Sequence, residues 1–260
     1  MDLREVKERG NKQEQRHPWE LARAEVITHQ LKTKLNIETY SNVLDMGCGD
    51  TYLVELLAHR FPQVTFYAVD IAFTDEQLDS LRINTATNVR VYKSLDVVKP
   101  ENNQPFDGVL LLDVIEHIED EVDFLTQLSK NKFINQQTKF LITVPAYQVL
   151  FCEHDHFLGH YRRYTNGALK KRIGLTPLKV TSCGYFFSVL LVPRIIEVLK
   201  EKMSSDKKKT TGLVEWHGRH FVSKVIKSIL FTDYLIHFAL SKLGIKVPGL
   251  SNIAVCQLPA

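Results

Sequence analysis

The 260-residue sequence predicts an α/β fold, a mostly parallel open sheet with helices on both faces. Three observations point to it. Short apolar, β-branched runs alternate with helical periodicities over about 100 residues, the pattern of repeated βαβ units. A turn with glycines at alternate positions, Asp45-Met46-Gly47-Cys48-Gly49, joins the first such run to the helix behind it. Aspartates Asp45, Asp70, Asp96 and Asp113 each stand at the end of a strand. In open parallel sheets that carboxyl edge is where ligands bind.

Length and composition set the frame. At 260 residues, 44% apolar and 24% charged, the chain can bury one substantial core, and one domain with an appendage is expected. The net charge of +3 argues against a dedicated nucleic-acid surface. The four cysteines are far apart and form no C-x-x-C, which suits a reducing cytoplasm and no zinc site. Residues 1–16 are charged and polar, so a flexible tail without a signal peptide is expected.

Taken in order, Pro18 suits the first turn of a helix carrying Ala24, Ile27, Leu31 and Leu35 at helical spacing. Trp19 and Arg23 share one face of it. They either cap the sheet or close over a ligand, an aromatic ring for adenine and a cation for a carboxylate. The first strand, Val43–Met46, runs into the glycine turn, and a helix from Tyr52 to about Arg60 comes next. Gly47 and Gly49 let backbone approach a ligand closely. The helix start behind them offers free N–H groups. A dinucleotide turn needs a third glycine three residues after Gly49, and Tyr52 stands there.

The second strand, Val64–Val69, ends at Asp70, about twenty residues beyond the turn and within reach of a ribose diol. A helix over 75–84 leads to the strand Val89–Lys93 and the turn Ser94-Leu95-Asp96. Leu95 can pack an adenine ring and Asp96 accept from its amine, although a solvated turn aspartate has the same spacing. The most apolar strand, Phe106–Leu112, ends at Asp113 and turns through Glu116 and His117 into another helix. Lys139–Pro145 is the fifth strand.

These segments resemble a known family. VLDMGCGDTYL, YAVD, the SLD turn and FDGVLLLDVIEHIED are similar to motifs I to IV of the class I S-adenosylmethionine-dependent methyltransferases of the type 11/12/23 group, in order and at the usual spacing. The match covers roughly residues 17–185. It implies a Rossmann-like seven-stranded sheet with an antiparallel last strand, and S-adenosylmethionine as cofactor. It implies a cofactor site formed by Asp45, Gly47, Gly49, Asp70, Ile71, Leu95, Asp96 and Asp113, with Trp19 and Arg23 over it. One departure stands out: the family commonly has a third glycine where this chain has Thr51.

The acceptor side is expected in the loop Glu153–Thr165, dense in titratable and aromatic groups. His160 and His117 are the candidate bases. His117 can instead be a helix-start histidine paired with Glu119 or Asp120. Tyr161, Arg162, Arg163 and Tyr164 are candidate acceptor clamps. The arginines can equally bridge to Asp155 or Glu153. His154, Asp155 and His156 are too weak a pattern for a metal, and none is expected. The sixth strand begins at Leu178, the seventh is Ile253–Cys256, and residues 186–250 form a helical insertion or lid within the domain 17–260. Its helices, 187–199 and 221–243, flank a Ser/Lys linker and cover the active site, a dimer partner or a membrane surface.

The expected activity is methylation of an oxygen on a small-molecule, saccharide or lipid-linked acceptor by a cytoplasmic enzyme, either free or membrane-peripheral. Two other classes compete with it: a non-catalytic cofactor-binding scaffold, and an RNA or protein methylase.

Overall fold

The computed structural model describes residues 16–203, 216 and 218–259. The expected tail, apart from Arg16, and the Ser204–Lys209 linker lie outside the described residues.

Seven strands form one sheet in the order β3-β2-β1-β4-β5-β7-β6. They are β1 (Asn42–Met46), β2 (Thr65–Val69), β3 (Val89–Tyr92), β4 (Gly108–Leu112), β5 (Lys139–Pro145), β6 (Lys179–Phe186) and β7 (Ser251–Gln257). β1 to β5 pair in parallel, while β7 runs antiparallel between β5 and β6. The strand order reverses between β1 and β4, which opens the crevice that such sheets use for ligands. β4 is buried along its whole length, as an uninterrupted Gly-Val-Leu-Leu-Leu run in a covered parallel sheet requires.

Period-two alternation sends side chains to two cores. Val43, Phe66, Ala68 and Leu110 face one core, with Ala22, Val26, Ile27, Val54 and Leu57. Leu44, Tyr67, Val109 and Leu111 face the other, with Leu125, Leu128, Leu169 and Ile173. The helices supplying these residues are α1 (Pro18–Gln30), α2 (Tyr52–Arg60), α4 (Glu121–Ser129) and α6 (Asn166–Ile173), with α3 (Asp75–Asn84) near the β3 edge.

α1 starts sharply because His17 caps it. Its ring Nδ1 accepts from the Trp19 amide at 3.2 Å and Glu20 returns the bond to the His17 amide. The expected helical stretch to Leu35 continues past Gln30 as a π-turn, closed by Asn36 at φ +62°. α6 begins where Thr165 accepts from the Ala168 amide, the cap its sequence position suggests.

Two segments correct the expectation, and a third bears it out. Residues 153–165 are not a loop throughout: α5 (Glu153–Leu158) forms there. β6 runs on to Phe186, so the first insertion helix is α7 (Leu191–Met203), with Pro193 in its first turn. The second, α8 (His220–Lys242), is packed along α1. Tyr234 and Leu230 join the first core, and the Tyr234 hydroxyl lies 2.7 Å from His29 Nδ1. Lys227 of α8 pairs with Glu25 of α1 at 2.7 Å. α8 therefore covers apolar surface that the sheet and α1 would otherwise expose.

Candidate active site

The β1–α2 turn brings backbone donors to the crevice. Gly47 and Gly49 have φ of +72° and +60°, where an L side chain is strained. A Cβ on Gly47 would stand 2.7 Å from Val114 Cγ2, so this position has no room for alanine. The Gly47 amide donates to the Val69 carbonyl at 2.7 Å, locking the turn against β2.

Asp70 then faces the turn. Its Oδ2 accepts from the Gly49 amide at 2.9 Å and its Oδ1 from the Ala72 amide at 3.0 Å. Two backbone bonds fix the carboxylate and leave a lone pair on each oxygen for a diol. Beside it, Ile71 is exposed, Leu95 is half-buried and Asp96 is exposed on the β3 side. Asp45, by contrast, is buried under the turn. Burial pushes its carboxyl up to about 7, and Asp70 adds to the effect.

Arg23 reaches over the carboxyl ends of β4 and β5. Its Nη2 lies 2.9 Å from Asp113 Oδ2 and donates to Thr143 Oγ1 at 3.1 Å, while Thr143 donates to Asp113 Oδ1 at 2.8 Å. Asp113 itself sits at φ +59°, a strained backbone held at the strand end. Sequence reading placed Arg23 and Asp113 on the cofactor separately. They meet each other, and Thr143 was missed because a threonine inside a buried strand reads as β-propensity. The Arg23 guanidinium lies 5.6 Å from the Trp19 ring, and its Nε is buried without a partner. Arg16 pairs with Asp50 at 2.5 Å and stacks on Tyr52 at 4.2 Å, which pins the start of α1 to the turn.

On the acceptor side the two candidate bases are neighbours. The His117 and His160 rings meet edge to face at 4.5 Å. The Tyr161 amide donates to the Glu116 carbonyl at 2.7 Å and ties the two segments together. His160 Nδ1 lies 2.8 Å from Asp155 Oδ1.

Asp155, the bridging partner that the sequence offers for the arginines, is the hub of a larger cluster that also takes His160 and Arg194. It is fully buried and also takes Arg163 Nε at 2.8 Å and Arg194 Nη2 of α7 at 2.7 Å. Burial alone would raise its pKa. The His160 bond and the charges of Arg163 and Arg194 outweigh that and hold the carboxyl well below the usual range.

The four clamp candidates are placed differently from one another. Tyr161 is exposed, with Arg162 stacked at 5.6 Å from its ring. Arg162 binds Glu121 and the Glu119 carbonyl. Arg163 is buried against Asp155 and the Ala146 carbonyl, and Tyr164 belongs to the second core. The adjacent arginines therefore point apart into two ion-pair sets, the bridging alternative, with Glu121 rather than Glu153 as the second partner.

The arrangement offers a glycine cradle, a fixed diol acceptor, an unpartnered buried guanidine nitrogen and a histidine pair along one sheet edge. A nucleoside with a carboxylate-bearing tail fits the first three.

Residues 14–175 match the family model described as methyltransferase domain. Among curated proteins, the ubiquinone biosynthesis O-methyltransferase of Rickettsia bellii (strain OSU 85-389) is 29% identical over 110 residues, 42% of this chain and 44% of that protein. N-methyltransferase 4 of Papaver somniferum is 26% identical over 170 residues, 63% of this chain and 46% of that protein. The chain thus spans less than half the length of these relatives. Among solved structures, coclaurine N-methyltransferase bound to N-methylheliamine and SAH superposes with TM-score 0.53 at 13% identity, covering 90% of this chain and 70% of that one. The plantazolicin methyltransferase BpumL in complex with SAH gives 0.50 at 13% identity, covering 94% and 84%.

Proposed function

Because this chain belongs to the class I S-adenosylmethionine-dependent methyltransferases, we propose that it methylates an oxygen of a small acceptor. The observation that supports the proposal is that the glycine turn after β1, Asp70 after β2 and His117 after β4 all stand at the carboxyl edge of one sheet, with His160 against His117.

S-adenosylmethionine, when bound, supplies an electrophilic methyl group. The chain's own residues bind, orient and handle a proton. Asp70 accepts from the ribose hydroxyls, and Gly47 and Gly49 give the backbone its close approach. Ile71, Leu95 and Asp96 border the adenine side, while Trp19 lies against Arg23 near the ends of β4 and β5 rather than over the adenine. Arg23, held by Asp113 and Thr143, would supply positive charge for the carboxylate. The acceptor hydroxyl is activated at the histidine pair. Asp155 fixes the His160 tautomer with Nδ1–H toward the carboxylate, which leaves the Nε2 lone pair for the proton.

The segment after β4 argues against an exocyclic amine of a nucleobase as the acceptor. It reads Asp113-Val114-Ile115-Glu116, without the Asn/Asp-Pro-Pro-Tyr run of base amino-methylases.

The test is S-adenosylhomocysteine formation with pools of phenols, saccharides and lipid extracts. We expect turnover with one small-molecule pool, and loss of turnover with cofactor affinity retained in His160→Ala. Asp70→Ala removes charge-assisted bonds worth about 1.5–3 kcal/mol and weakens cofactor binding at least about tenfold by calorimetry. Cofactor binding without turnover in any pool would identify a scaffold. Turnover confined to RNA or protein pools would overturn the small-acceptor reading.

Exposed apolar residues on each of α7 and α8 support an acceptor met at a lipid surface. Val192, Ile195, Ile196 and Leu199 of α7 and Phe221, Val225 and Ile229 of α8 are exposed, with Lys200, Lys202 and Lys224 among them. No helix among the described residues is long and apolar enough to cross a membrane. The chain is expected to float with anionic phospholipid vesicles and Ile195→Glu/Leu199→Glu to stay in the pellet. A wild type that does not float, but runs as a dimer that this variant breaks, would assign the face to a second copy.

A further inference from the structure

Glu116 is left unexplained by methyl transfer. It lies just beyond β4, is fully buried, and neither carboxylate oxygen has a hydrogen-bond partner. Buried carboxyl groups are normally bonded or paired. Protonation would remove the charge without giving the oxygens partners.

The surroundings of Glu116 suggest the missing partner. One carboxylate oxygen of Glu116 and one ring nitrogen each of His117 and His160 all lie within 4.8 Å of one another. A metal held at about 2.1 Å from each donor draws its ligands to within about 4 Å, so closing the site needs only small side-chain shifts. His160 is already set for the role. Its Nδ1 is on Asp155, the carboxylate–imidazole pairing that orients metal-bound histidines, and its Nε2 is left as the donor. Asp113 has its two oxygens on Arg23 and Thr143.

We propose that Glu116, His117 and His160 bind one divalent transition-metal ion of the zinc or manganese class. Two imidazoles and a single carboxylate favour these ions over magnesium and calcium, which prefer oxygen. Three protein ligands leave coordination positions open, the mark of a site that also takes a substrate oxygen. The site lies beside the residues read as the acceptor side. Resting on the proposed function, it assigns acceptors whose hydroxyl binds the ion and ionises on it, with the proton passing to solvent. In that form of the reaction the two histidines are ligands rather than bases.

The test uses the full chain, stripped with a chelator and dialysed against ZnCl2 or MnCl2, with metal content read by mass spectrometry. We expect one ion per chain, little retention of Mg2+, and a rise in melting temperature on Zn2+ addition. Glu116→Gln and His117→Ala are expected to lose at least about tenfold in zinc affinity, and His156→Ala, an exposed control, to bind as wild type. Circular dichroism and calorimetry with S-adenosylmethionine check that each variant is folded. A folded wild type that retains no ion, or a Glu116→Gln variant that binds zinc as wild type does, overturns the site. Cofactor binding by the stripped chain in that case leaves the methyltransferase reading standing with a histidine base. Metal binding without cofactor binding does the reverse.

Discussion

The two halves of the sheet edge are built from different materials. On the proposed cofactor side, backbone dominates: Gly47 and Gly49 at positive φ, and the Gly49 and Ala72 amides on Asp70. Those contacts join segments about twenty residues apart, through one βαβ unit. On the proposed acceptor side, buried side chains dominate. Asp155 collects His160, Arg163 and Arg194, and Glu121 collects Arg162 and Arg172. The α7 residue Arg194 reaches back 39 positions to Asp155. A site made of backbone depends on a few residue types at fixed spacing. A site made of buried ion pairs depends on which elements meet, so its partners are set by the fold.

The difference has a large energetic consequence. Removing one member of a buried ion cluster leaves the others charged and unpaired, at a cost of about 3–5 kcal/mol. Asp155→Ala leaves Arg163 without an ion-pair partner and Arg194 with Glu197 alone, and we expect a loss toward the lower end of that range in urea unfolding. The pH dependence has a definite sign. The Asp155 pKa is depressed on folding, so its stabilisation is present above the unfolded value of about 4 and is lost as pH falls through the folded value. The wild-type advantage over Asp155→Ala should therefore shrink below about pH 4. A loss under about 1 kcal/mol at pH 7 would show the acceptor half to be as locally built as the cofactor half.

Asp45 gives the opposite sign on the cofactor side. Burial raises its carboxyl to about 7, so its contribution is fully present below the unfolded value of about 4 and is lost as pH rises through 7. Asp45→Asn should match wild type near pH 4 and gain about 1–3 kcal/mol over it by pH 8, measured without cofactor. A pH-independent difference would mean that Asp45 stays charged and that the half is held by more than backbone.

The same contrast explains what could be read from the chain. The strands, α2, the Thr165 cap and Asp70 facing the turn are consequences of period, capping chemistry and spacing. The Glu153–Leu158 helix is not, because its cap is Cys152 answered by Asp155 and the stretch lacks an apolar stripe. Arg163 and Tyr164 look like surface groups, since their burial depends on Asp155 and on the second core. Glu116 reads as a helix-start acid, and only its place behind β4 strips it of partners. α7 begins at Leu191 rather than Phe187 because β6 takes Phe186 and Pro193 then fits a first turn.

The smallest expected effect lies at Thr51, where the family's glycine is missing. Thr51 caps α2 at φ +63° and ψ −6°, left-handed for a β-branched residue. Its side chain makes no capping bond, so the hydroxyl does not offset the strain, and the residue is buried. Left-handed backbone costs a Cβ-bearing residue about 1–2 kcal/mol. Glycine removes that cost but makes the unfolded chain more flexible, which offsets about 0.5–1 kcal/mol of the gain. Thr51→Gly should thus raise stability by about 0.5–1 kcal/mol and leave or improve cofactor affinity. Thr51→Ala keeps the Cβ in the same conformation and loses buried contacts, so it should be no more stable than wild type. Calorimetric unfolding of the pair separates the two contributions. If Thr51→Gly were the less stable by more than about 1 kcal/mol, the threonine's packing would outweigh its backbone strain. The cofactor half would then also depend on side chains.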